Sequence, residues 1–172
     1  MLFKEMVDAR YSVKSFDGRA VEEEKLQAVL EAAGKAPTAR NAQCVRIYVL
    51  KSEAAMDKAR ELTPCTYGAP VCLLVAYDRT EAYRYPDEDG NADSGAEDCA
   101  IVATHVMFEA LEQGLGTCWV NRFSPTKAKE VFVLPKEQEA VLMMPIGYPA
   151  ENARPLANHE KKKPLAEIVT EL

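Results

Sequence analysis

Glycine-based phosphate binding has no foothold in this chain. It holds 8 glycines in 172 residues, none in a G-x-x-x-x-G-K-S/T loop or in a G-x-G-x-x-G turn after a strand, so a bound phosphate would need side-chain cations. A G-x-S-x-G nucleophile elbow is missing too. The two histidines, His105 and His159, stand at no ligand spacing from each other or from a cysteine, which removes the common metal sites. Five cysteines, at 44, 65, 72, 99 and 118, are an odd number without a C-x-x-C pair, which signals neither a disulfide framework nor a zinc ribbon. A reducing cytoplasm is the expected setting. No apolar run has the length of a membrane-spanning helix, and the charged start "MLFKEMVDAR" is unlike a secretory signal. Cations are outnumbered, 21 Lys and Arg against 27 Asp and Glu, which argues against a general nucleic-acid binder.

What is present suffices for one domain over 1–172, since 48% of the residues are hydrophobic. Residues 2–9 suit a short helix. "VEEEKLQAVLEAAGKAP" reads as a helix with acidic residues in its first turn, an apolar stripe of Leu26, Val29, Leu30 and Ala33, and Pro37 as its stop. "VRIYVL" (45–50) reads as a strand, Ser52 as the cap of the next helix, and "APVCLLVAYD" as a strand buried on both faces. Arg79 to Gly95 shows no period and reads as a long mobile loop. The helix "AEDCAIVATHVMFEALEQ" is apolar almost all round and needs cover on most sides, for which a homodimer interface is a natural source. Gly114 ends it, "GTCWVN" continues as a strand, Ser124-Pro125 opens a short helix, and "AVLMMPIGYP" is a further buried strand. An irregular tail ends in the amphipathic piece "PLAEIVTEL". Without regular strand and helix alternation, the class is α+β.

Two short stretches stand out. In "ARYSVKSF" (9–16) an extended backbone would put Arg10, Ser12 and Lys14 on one face. The plain alternative is a solvated basic turn. In "GKAPTARNAQ" (34–43) Pro37 breaks the helix, and Thr38, Asn41 and Gln43 follow among freed backbone amides. A thiol enzyme built on Cys118 and His159 is a rival reading, but no local signature supports it, and a small strand residue facing the core is the usual state of a free cysteine.

Taken in order, "ARYSVKSF", "APTARNAQ", "GLGTCWVNRF" and "PIGYPAENARP" with "KKKPLAEIV" resemble the motifs of the nitroreductase family of flavin-dependent oxidoreductases. The likeness runs over nearly the whole chain. It implies an α+β nitroreductase-like fold, with an antiparallel-dominated central sheet flanked by helices, working as an intertwined homodimer with FMN at the interface. Carried over by motif position, Arg10 and Ser12, with Tyr11 between them, should hold the FMN phosphate, Lys162 should join from the tail, and Lys14 should lie by the pyrimidine edge and tune the flavin. Whether Lys161, Lys162 or Lys163 meets the phosphate stays open. Pro37, Thr38, Asn41 and Gln43 should come from the partner subunit. Backbone amides around Trp119, Val120, Asn121 and Arg122 should approach the reactive side of the ring.

The implied activity is hydride transfer from NADH or NADPH through FMN to a small planar acceptor, nitroaromatic or quinone, by a ping-pong mechanism with no catalytic side chain of its own. The alternative is an FMN carrier or redox sensor with little turnover. Tyr83, Tyr85 and Phe123 are candidate wall residues that could equally be plain packing. The chain departs from the family pattern at Cys44-Val45, where Pro-Trp is usual, and at Arg122, where a small residue is common.

Overall fold

The apolar run from Val71 to Ala76 lies at the centre of the molecule because both faces of its strand are covered. Successive side chains of a strand point to opposite sides, so Val71, Leu73 and Val75 enter one core while Cys72, Leu74 and Ala76 enter the other. In this computed structural model, residues 2–86 and 92–172 are described. The sheet comprises β1 (Val45–Leu50), β2 (Val71–Asp78), β3 (Gly116–Thr117) and β4 (Gln138–Gly147), in the order β1-β2-β4-β3, and every pairing is antiparallel. Leu73 stands opposite Met144 and Leu74 opposite Met143, and a register shift at Val75/Ala76 bends the β2–β4 pair.

Helices α2 (Glu23–Lys35) and α4 (Gly95–Glu112) cover one face. Leu26, Val29, Val102, Ala103 and Val106 pack there on Leu73, Leu142 and Met144. Helices α3 (Glu53–Leu62) and α5 (Pro125–Val131) cover the other with Met56, Ala59 and Ala128. Ser52 and Ser124 cap α3 and α5, each hydroxyl accepting from the backbone three residues on. Helix α1 (Phe3–Ala9) buries no residue and leans Phe3 on Phe108.

Helix α4 is only partly covered within its own chain. Cys99, Val102, Ala103, Val106 and Ala110 form a buried stripe at helical spacing, but Ile101 on another side is 38% exposed. One chain therefore covers only part of this helix. It also begins at Gly95, the last residue of the stretch expected as loop, where a Cβ would lie 2.0 Å from the Tyr77 ring and the close approach therefore requires glycine. The described ends of that stretch are tied: Arg84 bridges Asp93, and Ser94 N donates to Tyr83 O at 2.9 Å. Residues 87–91 of the expected mobile loop lie outside the described residues. "GTCWVN" forms a shorter strand than expected, continuing beyond Thr117 only as a bridge from Val120 to Met143. The closing "PLAEIVTEL" makes a single 3₁₀ turn, Leu165–Glu167, with Leu165 and Ile168 exposed. Among the described residues, no helix is long and apolar enough to cross a membrane.

Candidate functional site

Helix α1 stops at Arg10, whose φ of −67° and ψ of 129° turn the chain extended. Val13 N donates to Thr117 O at 2.9 Å, and Ser12 makes a parallel bridge to Thr117. Val13 is buried and Lys14 exposed, so side chains alternate from Ser12 to Lys14. Ser12 and Lys14 line a cavity of about 330 Å³ with Trp119, Val120, Asn121 and Arg122. Arg10 and Tyr11 border a second cavity of about 250 Å³, shared with Gly116, Thr117 and Pro149. Ser12 and Lys14 thus share one hollow, whereas Arg10 borders another together with Tyr11 and Val13, so the structure does not bring all three to one cavity. Gly116 and Val13 are in contact so close that a Cβ on Gly116 would lie 2.5 Å from Val13 Cγ2, which sets the approach of the two segments.

The segment after Thr117 is already engaged with its neighbours. Val120 N donates to Met143 O at 2.9 Å, which occupies the amide that the resemblance offers to a flavin. The Val120 side chain is buried in the core. Asn121 accepts from Trp119 Nε1 at 2.6 Å and donates to Val141 O at 3.1 Å, so its amide holds the indole in place. Arg122 is exposed and lines the cavity. Phe123, partly buried, packs on the core cluster that includes Ala128 of α5.

Sequence reasoning did not single out Cys65 and Tyr67, which complete the first cavity together with Cys118. The signal was present in "TPCTYG", whose Thr-Pro and Tyr-Gly mark a tight turn. Tyr67 adopts a left-handed φ of 53° there, a conformation that is rare for a bulky side chain. Burial pushes the Cys118 thiol up, against the pull of Lys14 and a hydrogen bond with Ser12. His159 packs edge-on against Tyr11 and has its Nε2 3.7 Å from Glu160. The Cys118–His159 thiol arrangement is therefore not assembled.

Thr38 and Gln43 face a different cavity, of about 350 Å³, lined also by Leu30, Ala33, Val45 and Val102. Pro37 leads into this loop, and Asn41 N donates to Thr38 O at 2.9 Å. Gln43 N donates to Thr38 Oγ1 at 3.0 Å, and Gln43 Nε2 to Asn41 O at 3.3 Å. Arg40, Asn41 and Gln43 all have positive φ, 51°, 57° and 52°. Left-handed backbone costs a non-glycine residue about 1–2 kcal/mol, and such strain persists only where the surroundings impose it. The restraint is Asp98, 1% exposed in the first turn of α4. Its Oδ1 accepts from Ala39 N at 2.8 Å, while its Oδ2 accepts from Ser94 Oγ at 2.8 Å and from Cys44 Sγ at 3.4 Å. Cys44, the departure from the family pattern, is thus a buried donor, and burial followed by the Asp98 contact pushes its thiol up to about 12. Tyr83 lies under Arg40 at 5.1 Å and near Tyr85 at 6.3 Å, so these tyrosines stand by this loop.

The tail returns to the first segment through His159 and Tyr11. Lys162 Nζ donates to His159 O at 2.7 Å, an ammonium held by its own tail. Among the described residues, no group of three or more His, Cys, Asp or Glu could hold a metal.

A profile described as the Nitroreductase family matches residues 7–64 and 62–148. A nitroreductase family protein of Clostridium difficile 630 superposes with a TM-score of 0.91 at 33% identity, covering 99% of this chain and 98% of that one. The protein named FMN reductase [NAD(P)H] in Bacillus subtilis is 28% identical over 168 residues, 88% of this chain and 67% of that protein. A structure from Exiguobacterium sibiricum 255-15, solved in complex with FMN, shares the fold at a TM-score of 0.86 and 19% identity, covering 100% and 98% of the two chains.

Proposed function

The chain belongs to the nitroreductase family, and from that premise we propose that it is an FMN-dependent NAD(P)H oxidoreductase. The observation that carries this reading is the cavity in which Ser12, Lys14 and the Trp119–Arg122 segment meet although they lie more than a hundred positions apart in the chain. Its polar lining fits the group. The two cations Lys14 and Arg122 suit an electron-rich ring edge, and Arg10 at the second hollow, together with the Ser12 hydroxyl, suits a phosphate. Bound FMN would supply hydride acceptance from NADH or NADPH and delivery to a planar nitroaromatic or quinone acceptor in a ping-pong cycle.

The chain's own residues bind and orient. Arg10 and Ser12, with Tyr11 beside them, would hold the phosphate end through charge-assisted bonds, and a lysine of the tail would join them, Lys162 by leaving the His159 carbonyl or else one of its neighbours. Lys14 would lie by the pyrimidine edge of a bound FMN, where its ammonium would stabilise negative charge. Trp119 and Arg122 form the wall of the ring site, and Arg122 offers an anion contact to the acceptor. No side-chain nucleophile or acid is required.

The reading includes a homodimer. Thr38, Asn41 and Gln43 do not share a cavity with Ser12 and Lys14 within one chain, so their contribution to a flavin site comes from a second copy. The incompletely covered side of α4, where Phe3, Met6, His105 and Phe108 line an apolar groove of about 510 Å³, supports the same arrangement. Anaerobic stopped-flow reduction of the FMN-loaded protein tests the activity. Bleaching of the flavin by NADH or NADPH at a useful rate is expected. A yellow protein that neither nucleotide bleaches is a carrier or sensor instead.

A further inference from the structure

Arg122 reaches the hollow from a fixed stem. The backbone N–H and C=O of Val120 both pair with Met143, at 2.9 Å each, and the Asn121 side chain is tied to Trp119 Nε1 and to Val141 O. Phe123 N donates to Asn121 O at 3.0 Å, a three-residue turn with Arg122 at its apex. Ser124, the cap of α5, holds the chain on the far side. The backbone is thus anchored both before and after Arg122, which is itself exposed on the cavity wall.

The charge that it brings has no counter-charge. The chain carries 27 Asp and Glu against 21 Lys and Arg, yet among the described residues no carboxylate lines this hollow. Arg19, Arg46, Arg60 and Arg79 pair with Asp17, Glu81, Glu53 and Glu139. Among the described residues, neither Lys14 nor Arg122 has such a partner. Both charges act on the interior. Burial works against ionisation of Cys65, but hydrogen bonds from Tyr67 and Thr63, then the charges of Arg122 and Lys14, bring its thiol below the usual range. A cleft of one sign of charge between low-dielectric walls concentrates ligands of the opposite sign.

We propose that Arg122 selects acceptors that carry a carboxylate, so that planar nitroaromatic or quinone acids are used in preference to their neutral amides. The proposal rests on the flavin reading above, in which Lys14 lies by the pyrimidine edge and Arg122 is left to the second substrate. A guanidinium offers a carboxylate two parallel N–H donors, a match that a neutral amide lacks. Holding one end of the acceptor fixes the orientation in which its reducible group is presented. Arg122 makes and breaks no covalent bond in this role.

The test uses the FMN-loaded full chain. Benzoate and benzamide, which the flavin does not reduce, are titrated first, and the change in flavin absorbance gives a Kd without turnover. Then kcat/KM is measured for 4-nitrobenzoate and 4-nitrobenzamide with NADH. Both comparisons should favour the carboxylate. Arg122→Gln should lower the carboxylate-to-amide ratio about tenfold or more, through KM rather than kcat, and Arg122→Lys should retain part of it. Taking the ratio within each protein cancels any general effect of the substitution on the flavin. High salt should narrow the ratio more in the parent than in Arg122→Gln. A ratio in Arg122→Gln within about twofold of the parent overturns the proposal. So does a loss confined to bleaching by NADPH relative to NADH, which assigns the guanidinium to a phosphate of the nucleotide instead. Failure of the flavin reading looks different: a chain that takes up no FMN, or whose FMN neither nucleotide bleaches, loses both readings, whereas normal bleaching without discrimination between acid and amide removes the acid selectivity alone.

Discussion

Replacing Asp98 by alanine removes the single carboxylate on which three segments converge. The side chain is 1% exposed, and the Ala39 amide, the Ser94 hydroxyl and the Cys44 thiol all donate to it. Hydrogen bonds to a charged group contribute about 1.5–3 kcal/mol each, and the thiol bond at 3.4 Å contributes little. Position in the first turn of α4 adds a favourable interaction with the helix dipole. Loss of the acceptor strands buried donors, which sets the cost at about 3–5 kcal/mol. With a urea slope of about 2 kcal/mol/M, the unfolding midpoint should fall by about 1.5–2.5 M. Asp98→Asn keeps one acceptor for Ala39 and should cost about half as much. Amide exchange at Ala39 should accelerate in both variants, because its amide donates to that carboxylate. A midpoint shift in Asp98→Ala below about 0.5 M would refute the idea that Asp98 holds the strained 38–43 loop.

Gly95→Ala should destabilise by about 1–3 kcal/mol through overlap with the Tyr77 ring, and the penalty should largely disappear in a Tyr77→Ala background, as read from a double-mutant cycle by denaturation. Burial pushes Cys72 up to about 12 from 9.0. The folded chain therefore keeps a proton that the unfolded chain loses, and stability is full below about pH 9 and falls as pH rises toward 12, by about 1.4 kcal/mol per unit. Urea titrations at several alkaline pH values should show Cys72→Ala with a shallower loss than the parent. Arg10→Ala should weaken FMN binding about tenfold or more with little change in flavin potential. Lys14→Gln should also make that potential more negative, and spectroelectrochemistry showing unchanged potentials in both would remove the division of roles.

Local rules made the elements legible. Two-residue alternation, apolar stripes at helical spacing, and Ser52 and Ser124 as caps all depend on chain neighbours, and the strands at 45–50 and 71–78 and the helices around them lie where those rules put them. The extended backbone from Arg10 to Lys14 was legible for the same reason. Resemblance over the motifs then pointed to the family, which the profile match and the 33% identical structure establish. Other features depend on groups distant in the chain. Nothing near Gly95 in sequence says that the Tyr77 ring lies so close that no side chain fits there. Nothing near residue 40 announces three left-handed residues in four positions, because the carboxylate that holds them is Asp98 on another element. Cys65 read as one of five unremarkable cysteines until folding set it beside Lys14 and Arg122. Local propensity is a property of adjacent residues, so the sequence alone determined the elements and the segments that bear the site. Contact, shared burial and the state of a proton depend on what folding brings together, and these the tertiary structure decided.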